Sequence, residues 1–114
     1  VEEASEDALA RTNRLLFIRE QYRELVTAHG YGTTVMETGM LFIGHPFLTP
    51  AQLQRHIPRS TTALRSALKR LESLGIIEKS GREYVAPDVL DAVTSPQGTP
   101  IDVDAPLIAQ GPRA

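Results

Sequence analysis

Apolar residues Leu15, Ile18, Tyr22, Leu25 and Val26 recur at steps of three and four, which predicts a first helix from about Asp7 to His29 carrying one apolar stripe. Arg11, Arg14, Arg19, Glu20, Arg23 and Glu24 fill most of its remaining surface and read as a solvated face, with Glu20 and Arg23 placed to pair at three-residue spacing. Gly30-Tyr31-Gly32 ends the helix, because glycine takes the left-handed backbone that a helix C-terminus needs. A second helix is predicted over Val35 to Ile43, with Thr34 as N-cap and Glu37 as its capping-box partner. Gly39 inside it predicts close packing against another element.

Denser signals follow. Thr49-Pro50-Ala51-Gln52 combines an N-cap, a proline at the first helical position and a capping box, with Leu48 placed to staple onto Leu53. This short helix ends by Ile57, since Pro58 disfavours helical geometry in the residue before it. Ser60 caps the next helix, whose Leu64, Leu68, Leu71 and Leu74 recur at helical spacing beside Ala63 and Ala67 and demand burial. Gly75 stops it, with Ile76 placed to touch Leu71. Ile76-Ile77-Glu78 and Glu83-Tyr84-Val85 read as two strands around the tight turn Lys79-Ser80-Gly81-Arg82. After Pro87, Asp88 is placed to cap a last turn or two carrying Val89, Leu90 and Val93, and from Thr94 the chain becomes an aperiodic Pro, Gly and Asp segment.

Residues Thr49 to Ala86 therefore predict a helix-turn-helix followed by a β-hairpin wing, within a mainly α fold whose three-helix core follows a long N-terminal helix. The chain divides into a linker helix over 1–32, a winged-helix domain over 33–93 and an extended or flexible tail over 94–114. Its 114 residues make one domain with a modest core. With no cysteine there is no disulfide framework and no thiol chemistry, and the longest apolar run, Met40 to Ile43, is too short for a membrane span. An acidic start at Val1-Glu2-Glu3 is unlike a signal peptide, so the expectation is a cytoplasmic protein that does not engage a membrane, and a first residue other than methionine suggests a piece of a longer chain.

Charge changes the picture. The net charge of -2 is a poor credential for a protein that grips nucleic acid over its whole surface, yet residues 1–48 carry -3, residues 49–86 carry +4 and residues 87–114 carry -3. The positive charge sits on the helix-turn-helix and wing. Arg59, Thr61, Thr62, Arg65 and Ser66 fall at the N-terminal end of the helix that would enter a major groove, with Lys69 and Arg70 further along it. Arginine reads guanine edges bidentately, Ser and Thr contact bases or phosphates, and Lys79 and Arg82 at the wing tip suit the flanking backbone. Double-stranded DNA is thus one candidate partner. A protein-interaction role is the other, because fold alone does not establish DNA binding. His29, His45 and His56 are widely separated in sequence, and there is no phosphate loop or nucleophile elbow, so no catalytic site, metal site or cofactor is predicted.

Arg14-Leu15-Leu16 with Arg19 to Leu25, His45-Pro46-Phe47-Leu48-Thr49, Thr62 to Ile77, and Tyr84-Val85-Ala86 with Val89-Leu90-Asp91 together resemble the C-terminal region of Fic-family proteins, over about residues 6 to 93. The resemblance implies an upstream Fic domain that transfers AMP from ATP to protein hydroxyls through a His-x-Phe-x-Asp/Glu-Gly-Asn-Gly-Arg motif. Here His45-Pro46-Phe47 is followed by Leu48, Thr49 and Pro50, without the magnesium-binding acid or the phosphate cradle, and no inhibitory Ser/Thr-x-x-x-Glu-Gly helix is present. The resemblance implies an accessory module that is not itself an enzyme. Its stripe of Leu15, Ile18, Tyr22 and Leu25 would then be shared with the Fic domain or, in isolation, with a second copy as a homodimer. A free-standing transcriptional regulator is the remaining alternative.

Overall fold

The structure, a computed structural model, describes residues 2–96 and 98–108. It is mainly helical, with helices α1 (Glu2–Ala28), α2 (Thr33–Gly44), α3 (Pro50–His56), α4 (Thr61–Ser73) and α5 (Pro87–Thr94), and strands β1 (Phe47–Leu48), β2 (Glu78–Ser80) and β3 (Glu83–Val85). The strands form one antiparallel sheet in the order β1-β3-β2.

Helix α1 begins at Glu2, earlier than its apolar stripe, because nothing in Glu3 to Ala8 breaks a helix. It ends as the sequence requires. Gly30 takes φ of 68°, and the Gly30 and Tyr31 amides donate back to Thr27 and Val26 carbonyls. Ile18, Tyr22 and Val26 lie wholly inside the core, while Leu15 and Leu25 pack half-buried against it. This corrects the expectation of a stripe left over for another surface, since α2 and α5 cover it within the chain and Ile18 and Tyr22 present nothing to a second molecule. Arg14, read as part of a solvated face, is also buried.

Helix α2 starts at Gly32, which acts as N-cap without a side-chain bond, so Thr34 and Glu37 do not form the expected capping box. Thr34 instead accepts the Thr38 hydroxyl at its carbonyl (2.7 Å), and Glu37 pairs with Arg59. Gly39 does mark a close approach, because a Cβ built there would lie 3.4 Å from Leu71 Cδ2 of α4.

The predicted caps of α3 and α4 and the glycine stop of α4 are present. Gln52 N donates to Thr49 Oγ1 (3.1 Å) and Thr49 N donates to Gln52 Oε1 (2.9 Å), completing the box on α3. Ser60 Oγ accepts from Ala63 N (3.1 Å), Leu64, Ala67, Leu68 and Leu71 turn inward, and Gly75 at φ 80° closes α4 with Ile76 N bonded to Leu71 O (3.1 Å). The hairpin forms, two residues later than predicted on its first side. Ile76 and Ile77 are drawn fully into the core, so pairing starts at Glu78 and runs Glu78↔Val85, Lys79↔Tyr84 and Ser80↔Glu83, with Gly81 at φ 64° leading a two-residue turn. Strand β1 had no sequence signal. It pairs Phe47 with Val85 and Leu48 with Tyr84, and Ala86 N donates to Pro46 O (2.9 Å).

Two further corrections concern the C-terminal part. Ala86, not Asp88, is the N-cap of α5, and no side chain caps it. Asp88 is buried instead and faces Arg14, its Oδ1 lying 3.9 Å from Arg14 Nη2 and accepting the Ile108 amide at 2.6 Å. The tail beyond α5 lies along the domain: Arg14 Nη1 donates to the carbonyls of Val103 (3.0 Å) and Ala105 (2.6 Å), and Leu107 is buried in the core.

Candidate nucleic-acid interface

Helical spacing puts Arg65 and Lys69 one turn apart on the exposed side of α4, while Leu64, Leu68 and Leu71 anchor the other side. The β2–β3 register sets Lys79 directly across from Tyr84, so both side chains stand on one face of the hairpin, and the Gly81 turn carries Arg82 beside them. These two elements enclose a groove of about 510 Å³ lined by Pro50, Arg65, Leu68, Lys69, Lys79, Gly81, Arg82 and Tyr84. It has a cationic rim over an apolar floor. No acidic side chain lines it, and none of its four cations lies within ion-pair distance of a carboxylate among the described residues.

A smaller hollow of about 210 Å³ between α3 and α4 shares Pro50, Arg65 and Leu68 with this groove, making the two continuous through Arg65. Thr61 lines the hollow, and its hydroxyl accepts from Gln54 Nε2 (3.3 Å).

The nine residues nominated from sequence do not act as one group. Arg65, Lys69, Lys79 and Arg82 share the groove, Thr61 borders it, and Thr62 is exposed at the start of α4. Arg59 is engaged by Glu37 at 3.0 Å, both side chains being close to half exposed. Ser66 and Arg70 line a separate hollow of about 270 Å³ against the start of α2, where the Arg70 guanidinium lies 5.0 Å from the Tyr31 ring centroid, a cation–π contact. Tyr84, Pro50 and Gln54 join the site without having been nominated. The Lys79–Tyr84 pairing is the signal that marks Tyr84.

The histidines are not all apart. β1 brings the end of α2 back beside the end of α3, leaving the His45 and His56 rings with centroids 4.9 Å apart. No cluster of three or more His, Cys, Asp or Glu suited to a metal ion occurs among the described residues. Helix α1 meets no membrane criterion either, and no helix among the described residues is long and apolar enough to cross a bilayer. What the groove offers chemically is charge, donors and one aromatic face, which suits a polyanion.

Comparison with known proteins returns no match, whether to a family model, a curated protein or a solved structure.

Proposed function

We propose that the chain is a winged helix-turn-helix module that binds double-stranded DNA, with α4 as the recognition helix and β2–β3 as the wing. One observation carries this reading: four cations without an ion-pair partner among the described residues, Arg65, Lys69, Lys79 and Arg82, converge from helix and hairpin on a single groove that no described acid lines. Supporting it, the order α2-β1-α3-α4-β2-β3 with sheet order β1-β3-β2 places a helix pair joined by Pro58 and Arg59 ahead of a two-stranded hairpin, as DNA-reading winged helices require. Arg65 and Thr61 face the bases in this reading, and Lys69, Lys79 and Arg82 hold phosphates. Mapping amide shifts on adding a duplex tests it. Perturbations confined to α4, the Gly81 turn and the α3–α4 junction support the assignment; perturbations centred on α1 or α5 contradict it.

The resemblance to the C-terminal region of Fic-family proteins supports placing the module as a regulatory part of a cytoplasmic Fic-type AMP transferase, without catalysis of its own. Sequencing the coding region that precedes Val1 tests this, through presence or absence of the His-x-Phe-x-Asp/Glu-Gly-Asn-Gly-Arg motif. A second reading, a protein-interaction or homodimer module, draws on different residues from those first named. Leu9 and Leu16 are 61% and 54% exposed one heptad apart on α1. Sedimentation of the wild type and of Leu16→Glu distinguishes a dimer through this face from a monomer.

A further inference from the structure

The segment after α5 is seated in a cleft that is built to hold a polypeptide. Arg14 and Asp88 form its floor, both buried, their side chains 9% and 0% exposed. Arg14 donates to two successive-but-one carbonyls, Val103 and Ala105, and Asp88 accepts the amide of Ile108. Backbone is thus read at both ends of a six-residue stretch, by one cation and one anion. Between them Leu107 is driven into the core with only 1% of its surface exposed, whereas its neighbours Pro106 and Ile108 remain exposed. Arg11 holds the entry to the cleft by donating to the carbonyls of Ala92 and Ser95.

Two features separate this seat from an ordinary packed terminus. Recognition is almost independent of side chains: the segment is fixed through two carbonyls, one amide and a single leucine, presented from a turn that the Ala105 amide closes on the Asp102 carbonyl (3.2 Å), and any segment that makes this turn ahead of a leucine can supply them. The seat also has free space at its edge, where a partly open hollow of about 150 Å³ lies between Arg14, Ala92, Ser95, Pro100, Asp102 and Ala105.

We propose that the α1–α5 cleft is a peptide-recognition site, that residues 103–108 are its exchangeable intramolecular ligand, and that its partner is a turn-forming segment of another polypeptide carrying proline and leucine at the positions of Pro106 and Leu107. Recognition runs through Arg14, Asp88 and the leucine socket. The tethered segment competes at a roughly millimolar effective concentration. It therefore masks the cleft until a better-fitting segment displaces it. The cleft shares no residue with the cationic groove, so the two sites bind their partners by different chemistry.

The test uses the full chain bearing Leu107→Asp, which cannot seat its own segment but keeps the cleft, and a fluorescein-labelled peptide of residues 99–108. Saturable binding is expected, at least tenfold tighter than to the wild-type chain. Adding Asp88→Asn to the receptor, or Leu107→Asp to the peptide, is expected to weaken it tenfold or more. Absence of saturable binding to a folded L107D chain, or equal binding of both peptides, overturns the proposal. Should L107D fail to fold, a protease site inserted after Gly98 in the otherwise wild-type chain serves instead. Once cut, the chain is expected to stay folded and to exchange its own segment for labelled peptide, and unfolding on loss of the segment, or failure to exchange, overturns the proposal equally.

Discussion

Arg14→Met isolates the interaction on which the C-terminal part of the fold depends. The substitution keeps an unbranched chain of similar length but removes the guanidinium, which makes bonds of 3.0 and 2.6 Å to two carbonyls and faces Asp88 at 3.9 Å. Asp88 then loses the Arg14 charge that faces it. Breaking a buried pair from one side costs about 3–5 kcal/mol, and hydrogen bonds to a charged group contribute about 1.5–3 kcal/mol each but are not additive when one side chain makes them all. A loss of about 3–5 kcal/mol follows, a large share of the roughly 5–15 kcal/mol typical of a domain. At this chain length each kcal/mol shifts the midpoint by about 4 °C, so Tm should fall by roughly 12–20 °C. Urea denaturation followed by circular dichroism measures the stability, and hydrogen exchange at the Ile108 amide reports release of the segment that Asp88 holds. Arg23→Met is the control on the same helix: its ion pair with Glu20 is 3.1 Å long but more than half exposed, and its loss should stay within about 0.5 kcal/mol. Combining Arg14→Met with Asp88→Asn should recover part of the loss, because the buried charge is then gone. A loss below about 1 kcal/mol for Arg14→Met alone would refute the reasoning, since a buried floor residue holding two segments together cannot be that cheap to remove.

Three other predictions are independent of this one. The Tyr22 hydroxyl is buried with no hydrogen-bond partner among the described residues, and its pKa is raised well above 10, first by desolvation and then by the Asp88 charge, with Arg14 opposing. A raised folded pKa means that the unfolded chain ionises first, so Tyr22 contributes stability that is complete below pH 10 and falls by about 1.4 kcal/mol per pH unit above it; Tyr22→Phe should flatten this alkaline decline in a pH series of urea midpoints, and an unchanged slope would count against it. Thr49→Ala removes the bond that the Gln52 amide donates to Thr49 Oγ1, leaving the Thr49 amide bond to Gln52 Oε1 in place, and should cost about 1 kcal/mol by denaturant titration. Gly39→Ala should be neutral or stabilise by up to about 1 kcal/mol, because helix propensity improves and the new Cβ meets only the flexible end of Leu71 at ordinary contact distance.

Local chemistry was legible in the sequence at most positions whose role is decided within four residues, Thr34, displaced as a cap by Gly32, being an exception. Thr49 with Gln52, Ser60 with Ala63, Gly75 with Ile76 and Gly30 with Tyr31 all form the bonds their spacing announces. What stayed hidden is decided at long range. β1 is two residues long and exists only because Phe47 and Leu48 meet β3, so no periodicity could reveal it. Arg14 and Asp88 looked like a solvated charge and a helix cap, and only the folding of α5 against α1 converts them into a buried pair. Asp88 then cannot cap α5, since its carboxylate faces inward to Ile108. The apolar stripe of α1 was read correctly as a stripe; which surface covers it could not be known before α2 and α5 were in place. Among the candidate DNA contacts, residue type nominated nine positions, but only tertiary placement separates Arg65, Lys69, Lys79 and Arg82 in one groove from Arg59, held by Glu37, and Arg70, held over Tyr31.

The central claim, that this groove holds duplex DNA, is tested most directly by fluorescence anisotropy of a labelled duplex titrated with the chain between 50 and 200 mM salt. Three phosphate-facing cations, Lys69, Lys79 and Arg82, predict a slope of log affinity against log salt of about -2.7, equivalent to a loss of roughly fortyfold across that range. Replacing Lys79 and Arg82 by alanine should lower the slope by about 2. Absence of binding at 50 mM salt, or binding whose salt slope is unchanged by that double substitution, would contradict the account.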